Sequence, residues 1–343
     1  MTGYSAPLRL RLDGQALAAN WRWLDRMSGS ASCGAAVKAD GYGLGAKGVV
    51  DRLARAGCRD FFVATWAEAA ALMPMADGLS LSVLHGVRAQ DIGAAVARPV
   101  LNTPGDVARW RGRGPCDVMV DTGMNRLGLS ARDVADGLLD GLQIVTLMSH
   151  LACADEDSPK NAQQRAAFVE IAGRVKAERL SLANSAGVCL GKDYAFDLTR
   201  PGLALYGGVP RSEAAGHISQ VVAPEAQILQ RRRIGPGDTV GYNATFTATR
   251  EMDVAILNIG YADGYLRGFS GSGRALAGDA MLPVLGRVSM DLLAIDVGAA
   301  PDLAEGDWVA IDYDLPRAAA QSGLSQYELL TGLGARFDRI WVD

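Results

Sequence analysis

Between about Leu12 and Gly207, short apolar runs alternate with helix-like segments, and this alternation constrains the fold more than any other feature of the chain. A helical stretch from Gln15 to Met27 precedes a strand-like run ending in AAVKAD. DFFVATW, LSLSVLHG, RPVLNT, CDVMVDTG, QIVTLMSH, RLSLANS and DLTRPGLALYG follow, making eight strand candidates. Patterns such as GAKGVVDRLARAG and NAQQRAAFVEIAGRV lie between them and read as helices. Alternating strands and helices build parallel βαβ units, and eight such units close a barrel. The expected fold class is therefore α/β, a (β/α)8 TIM-type barrel followed by something different. A doubly wound open sheet is the alternative, but no G-x-G-x-x-G turn supports a dinucleotide fold. From about Ser219 the runs TVGYNATFTATR, MDVAILNIGYADG, ALAGDAMLPVLGRVSMDLLAIDVG and DWVAIDYD are strand-rich and punctuated by glycine, with one late helix around Gln326 to Leu333. The division expected is a barrel domain over residues 8–218 and a mostly β C-terminal domain over 219–343, with residues 1–11 packing on the latter.

Charge and cysteine usage remove several classes of function. A net charge of −4 gives no reason to expect nucleic acid or an anionic membrane as partner. The five cysteines are odd in number, scattered and without a CxxC pair, which argues against a disulfide framework and against a zinc site, so no metal is expected. They fit a reducing compartment. The N-terminus MTGYSAPLRLRLDG has neither a basic nor an apolar signal region, and no apolar run approaches the ~20 residues of a membrane helix. A cytoplasmic location is expected.

In such barrels the site is built at the C-terminal ends of the strands. Lys38 closes the first strand, Arg126 follows the fifth, His150 ends the sixth, Asn184 and Ser185 end the seventh, and Arg200 sits at the eighth. One such residue alone would read as structural; the convergence of the set on one mouth reads as a site. Lys38 taken alone reads first as a lysine snorkelling at a strand end. Its functional reading is a Schiff-base lysine, which needs a partly desolvated amine. The glycine-rich loop after it, with Tyr42, would let a phosphate approach the backbone closely.

AVKADGYGLGA is similar to the cofactor-lysine motif of fold-type III pyridoxal-phosphate enzymes, above all alanine racemases. The resemblance continues, in order, through VDTGMNRLGL, SHLACADE, LANSAG, TRPGLALYG, VGYNATF, IGYADGY and GRVSMD, and so covers both domains. It implies that Lys38 holds pyridoxal 5'-phosphate as a Schiff base and is the base on one face of the substrate. Tyr242, from the partner subunit of a homodimer with shared active sites, would be the base on the other face. His150 and Arg200 would form a relay behind that tyrosine, and Arg200 would also meet the pyridine nitrogen. Arg126 would face the cofactor's phenolic oxygen and the substrate carboxylate. Tyr42, Ser185, Gly202 and Leu203 would hold the phosphate, with Asn184 beside them in LANSAG. Tyr261 and Met290 would line the substrate pocket, with Asp291 supporting it. The reaction implied is two-base racemisation of L- and D-alanine, used to supply D-alanine for peptidoglycan or to catabolise it.

The chemistry is coherent. Racemisation removes the α-proton on one face and returns it on the other, so two bases on opposite sides suffice. A free tyrosine titrates at about pH 10 and needs nearby positive charge to act near neutrality. An arginine at the pyridine nitrogen cannot give up its proton, which weakens the ring as an electron sink and suppresses transamination. Three other readings compete. A broad-specificity or serine racemase differs only in pocket width. A non-catalytic pyridoxal-phosphate homeostasis protein would lack the second domain. A basic-amino-acid decarboxylase would carry an acidic residue in place of Arg200. Absent the resemblance, Tyr242 and Tyr261 read as β-domain core tyrosines, and His85 and His217 match nothing.

Two positions depart from the family pattern. Met119 stands where some members carry a carbamylated lysine that steadies the site arginine, and Ala335 stands where some place a tyrosine near the phosphate. A buried Arg126 without a counter-ion would be costly by several kcal/mol. A chloride between Asn125 and Arg126 is the expected substitute, the alternative being an Arg126 that is solvated or paired with a carboxylate elsewhere.

Overall fold

The computed structural model describes residues 5–94 and 96–343, and the chain divides into two compact units. One spans Leu17–Ser219; the other combines the segment up to Ala16 with Gln220–Asp343. Residues 1–4, included in the segment expected to pack on the C-terminal domain, lie outside the described residues.

The first unit is a parallel barrel. Seven strands lie in sequential order, from Ala35–Ala36 through Asp60–Val63, Ser80–Val83, Arg98–Leu101, Cys116–Met119 and Ile144–Met148 to Ala177–Ser181. The eighth, Leu198–Thr199, pairs in parallel with Ser32–Cys33, the lower half of the first strand. Closure is made by backbone N–H groups of Ser32, Gly34 and Ala36 donating to the carbonyls of Asp197, Thr199 and Pro201 at 2.8–3.0 Å. On its other flank the eighth strand meets the seventh, with Asp197 N–H donating to Leu180 and Arg200 N–H to Ala183. The eighth run is shorter than its sequence pattern suggests: after Pro201 the chain turns into a 3-10 segment, Leu203–Tyr206.

Strand side chains alternate as a two-residue period requires. Cys116, Val118, Leu147 and Leu101 pack outward with Trp110, Phe168 and Ile171 of the surrounding shell. Asp117, Met119, Val100 and Met148 take the alternate positions. Phe62, Val100, Met119, Met148 and Leu198 form one apolar layer. Two residues earlier along the strands lies a charged layer in which Asp117 accepts from Ser82 and Arg98, and Asp60 accepts from both Arg179 Nη atoms. Several helices start on side-chain caps legible in sequence, with capping boxes at Thr65/Glu68, Thr103/Asp106 and Ser130/Asp133.

The second unit is antiparallel. The strand Val222–Ile234 pairs with Met252–Leu257 along one stretch and with Trp308–Ile311 along another. Through Leu293–Asp296, Ala280–Leu285 and Arg274–Ala277 those partners connect back to each other, so six strands form a closed ring. Leu8–Asp13 and Asp338–Val342 extend it from the long strand. A register shift between Ile228 and Gln230 marks where the long strand changes partners. Two late helices are present rather than one. Leu315–Ser322, capped by Asp314 and opening on Pro316, precedes Gln326–Thr331, and its small alanine-rich pattern hides it among loop-like residues.

Gly34 is the position on which barrel closure bears hardest. A Cβ there would lie 2.9 Å from the Asp60 carbonyl and 3.1 Å from that of Thr199, both backbone atoms of neighbouring strands. Gly34→Ala should therefore destabilise the protein by ~1–3 kcal/mol, the usual cost of overpacking, read as a lower midpoint in urea unfolding. An unchanged midpoint would mean that the strands yield without cost.

Candidate active site

The mouth of the barrel is organised around Lys38. The chain leaves the first strand at Val37 and enters a left-handed turn, with φ of 54° at Ala39, 52° at Asp40, 64° at Gly41 and 54° at Tyr42. L-residues resist this conformation by ~1–2 kcal/mol each, so three non-glycine residues within four positions mark stored strain. The turn closes on itself through Gly41 N–H to Val37, Gly43 N–H to Ala39 and Gly45 N–H to Asp40, each at 2.9 Å. Asp40 Oδ1 accepts the Ala46 N–H at 2.8 Å and ties the turn to the next helix. Lys38, half-buried at the head of the turn, has its pKa lowered by desolvation first and by Arg126 and Arg200 next, against an opposing pull from Glu68. A lysine in that state holds more of its amine neutral and nucleophilic.

Beside it lies a cradle of backbone donors. Ser185 Oγ accepts N–H groups of Gly202 at 2.9 Å and Ala204 at 3.2 Å. Gly202 must be glycine, since a Cβ would stand 2.1 Å from Tyr42 Oη. The Tyr42 ring is stacked on Tyr206 at 4.5 Å, and Tyr206 donates its hydroxyl to the Ala36 carbonyl. Leu203 is buried directly after Gly202. Asn184 spends its side-chain oxygen on the Gly187 N–H as a helix cap. These donors and the hydroxyls of Ser185 and Tyr42 fit the oxygens of a phosphate group.

His150 and Arg200 occupy the same mouth but make no direct side-chain hydrogen bond, in contrast to the relay expected. Arg200, fully desolvated, donates to the Ser149 carbonyl at 2.6 Å and to Ser181 Oγ. Its guanidinium therefore grips the two strands beside it. Burial pulls its pKa down to about 10, partly offset by Asp117. The His150 imidazole is pushed down to about 3 by burial and then by Arg200, Arg126 and Lys38, so it is neutral at pH 7. Gln164, wholly buried, fixes this strand end by donating to the His150 carbonyl and to Thr122 Oγ1 while accepting the Ala152 N–H.

Arg126 departs from expectation. It is exposed in the single chain and makes no ion pair among the described residues, so the premise of a buried, unpaired Arg126 does not hold. Its loop is shaped by Asp121, whose carboxylate accepts N–H groups of Gly123, Met124 and Asn125, the last at a φ of 55°. Met119 is buried in the barrel's apolar layer, an ordinary core position.

In the second unit Tyr242 is 65% exposed on a turn where Asn243 and Ala244 both have positive φ. Tyr242 is therefore not a core tyrosine of the β-domain, and Tyr261 is only half-buried. Met290, 53% exposed, and Asp291 lie on a second loop that is stitched to the Tyr261 loop. Tyr261 N–H donates to Ser289 at 3.0 Å, and Ala262 N–H to Met290 at 3.0 Å. Arg336 completes the stitch. It forks onto the fully buried Asp263 at 2.7 and 2.8 Å and reaches Asp291 at 2.7 Å. Asp291 is thus tied to an arginine that sequence reasoning passed over. Its only sequence signal is its place beside Ala335, and the partner it holds is 73 residues away.

A lysine at the end of the first strand of such a barrel, followed by a β-domain, defines the fold-type III class of enzymes. Residues 12–210 match the family model "Alanine racemase, N-terminal domain", and residues 221–341 match "Alanine racemase, C-terminal domain". An alanine racemase of Acidiphilium cryptum is 43% identical, over 96% of this chain and 98% of the relative. Agrobacterium fabrum has two similar proteins, a biosynthetic alanine racemase at 41% identity (98% of this chain, 94% of the relative) and a catabolic one at 38% (97% and 92%). Among solved structures, alanine racemase from Bartonella henselae with covalently bound pyridoxal phosphate is similar at a TM-score of 0.90 and 33% identity, covering 99% of this chain and 100% of that one. The chain belongs to the alanine racemase family.

Arg336 yields a prediction. Arg336→Met leaves the Asp263 carboxylate buried and unpaired. The guanidinium is half exposed, which reduces the ~3–5 kcal/mol cost of breaking a buried pair to on the order of 1–2 kcal/mol. The melting temperature should fall by several degrees, with Arg336→Lys intermediate because it keeps the charge and loses the fork. Equal melting temperatures for Met and wild type would show that the loops hold without the clamp.

Proposed function

We propose that this protein interconverts L- and D-alanine by two-base racemisation with pyridoxal 5'-phosphate as cofactor. The observation that carries the reading is Lys38, a desolvated amine at the barrel mouth in a chain that matches the family over both domains. Lys38 would hold the cofactor covalently. Tyr42, Ser185, Gly202 and Leu203 would receive the phosphate, Arg200 the ring nitrogen and Arg126 the phenolic oxygen. When bound, the cofactor supplies an electron sink conjugated to the substrate's α-carbon, which makes the α-proton acidic enough for a side-chain base.

The chain's own residues do the rest. Lys38 Nζ, its pKa lowered by burial and by Arg126 and Arg200, takes or returns the proton on one face. Tyr242 of the partner subunit does so on the other. His150 is neutral and so contributes orientation and hydrogen bonding, while fixed positive charge comes from Arg200 and Arg126. Arg126 binds the substrate carboxylate, and Tyr261 and Met290 of the partner subunit limit the room for its side chain. A homodimer is supported by the high exposure of Tyr242 and Met290, an aromatic and an apolar side chain on one unit. Enantiomers have equal free energy, so one site serves synthesis of D-alanine and its breakdown alike. Relatives named for each role are similarly distant.

No helix among the described residues is long and apolar enough to cross a membrane. The five cysteines are free thiols, which supports a reducing, cytoplasmic setting.

A chloride between Asn125 and Arg126 would supply the negative charge that Met119 cannot. Both side chains are exposed in the single chain, so the ion would exchange with solvent. Replacing chloride by a bulky anion at constant ionic strength should lower activity several-fold, and unchanged activity in chloride-free buffer would remove the ion from the scheme.

Chiral chromatography of L-alanine turnover, run beside serine and lysine, tests the reaction and separates alanine from broader specificity. Lys38→Ala and Tyr242→Phe should each lose ~10²-fold or more, the usual contribution of a general base. Mixed after subunit exchange, the two inactive proteins should regain activity, because one hybrid site has both bases intact. No recovery after proven exchange would overturn shared sites.

A further inference from the structure

Glu68 lies outside every motif of the family resemblance. It lies in the first turn of the helix Trp66–Leu72, where Thr65 Oγ1 accepts its N–H at 3.2 Å. Its Oε2 returns the contact, accepting the N–H groups of Thr65 at 3.2 Å and Ala64 at 2.7 Å. A capping box asks for no more than this. The other carboxylate oxygen does something else. Oε1 accepts the N–H of Ala39 at 2.8 Å, the first peptide after Lys38 and the first residue of the left-handed turn.

That turn needs external restraint, because backbone held in sparsely populated conformations persists only where its surroundings over-determine it. Asp40 anchors to Ala46 and Tyr42 stacks on Tyr206, so both of those restraints act beyond the lysine. The side-chain restraint at the lysine end is Glu68. It reaches across from the helix after the second strand, so the carboxylate also joins two strand ends of the barrel mouth.

We propose that Glu68 is a positioning residue for Lys38, holding the peptide after the lysine in the left-handed turn and so setting where its Nζ lies in the barrel mouth. The inference rests on the reading of Lys38 as the cofactor lysine. A second consequence follows from charge. The groups acting on Lys38 are Arg126 from the loop after the fifth strand, Arg200 from the eighth, His150 from the sixth, and Glu68. His150 is neutral, the two arginines push the lysine down, and Glu68 is the acidic member that pulls it up. Removing that carboxylate therefore shifts Lys38 further toward its neutral form.

Four proteins test this: wild type, Glu68→Gln, Glu68→Asp and Thr65→Ala. Thr65→Ala breaks half of the capping box and leaves the carboxylate on Ala39, so it controls for helix capping. Two quantities are read on apo-protein. One is affinity for pyridoxal 5'-phosphate, by visible absorbance. The other is the pH midpoint of Lys38 acetylation, by peptide mass spectrometry. Glu68→Gln should weaken affinity at least tenfold and move the midpoint to lower pH. Glu68→Asp, which keeps the charge and shortens the reach, should weaken affinity with little movement of the midpoint. Thr65→Ala should change neither by more than twofold. If Thr65→Ala matches Glu68→Gln, or if Glu68→Gln keeps both wild-type values, Glu68 is a helix cap and nothing more. A wild-type protein that takes up no pyridoxal phosphate would instead overturn the cofactor reading, while the acetylation midpoints would still report the Glu68–Lys38 coupling.

Discussion

The ladder between the first and eighth barrel strands carries the rest of the site. Three backbone hydrogen bonds, from Ser32, Gly34 and Ala36 to Asp197, Thr199 and Pro201, bring the start of the barrel against its end. Lys38 lies two residues beyond the first partner set, and Arg200 and Gly202 lie within and just after the second. Remove the closure, and the lysine, the arginine and the donor cradle become separate features of an open sheet. Gly34 makes the closure possible, because the strands approach to a distance at which a methyl group would strike backbone carbonyls on both sides.

Closure also concentrates positive charge. Lys38, Arg126 and Arg200 act on one another, and His150 among them is driven neutral. Arg200 is buried, and its direct contacts are a carbonyl and a hydroxyl rather than a carboxylate. Buried charge of one sign is unfavourable until an anion arrives. An anionic ligand bound only by the folded chain offsets that cost and stabilises the fold by mass action. The field that lowers the Lys38 pKa therefore favours an anion at this mouth.

The β unit meets a different problem, since the side chains proposed to act from it sit on loops. Loops tolerate motion, and positions for Tyr261 and Met290 have to be imposed from outside the two loops. Arg336 does this by forking onto Asp263 and extending to Asp291, supported by backbone bonds from Tyr261 and Ala262 to Ser289 and Met290. Glu68 plays the corresponding part in the barrel. In both cases a charged side chain from a third segment fixes backbone that would otherwise drift, because several hydrogen bonds made at once constrain direction as well as distance.

Local periodicity determined a good deal. The alternation of apolar runs and helices specified eight strands, and the strand ends named Lys38, His150, Ser185 and Arg200 as neighbours at one mouth. The shift to glycine-punctuated strands marked a second kind of architecture. These features depend on residues within a few positions of one another, where the two-residue and 3.6-residue periods act. Closure of six β-strands into a ring, the exposure of Arg126, the grip of Arg200 on Ser149 rather than His150, and the reach of Glu68 to Ala39 were decided by the tertiary structure alone. So was the Arg336–Asp263 clamp. The three side-chain contacts join groups from 29 to 73 residues apart, while the ring and the exposure of Arg126 depend on how distant strands and loops come together. No local pattern encodes those separations, because partners there are chosen by the geometry of the finished barrel and ring.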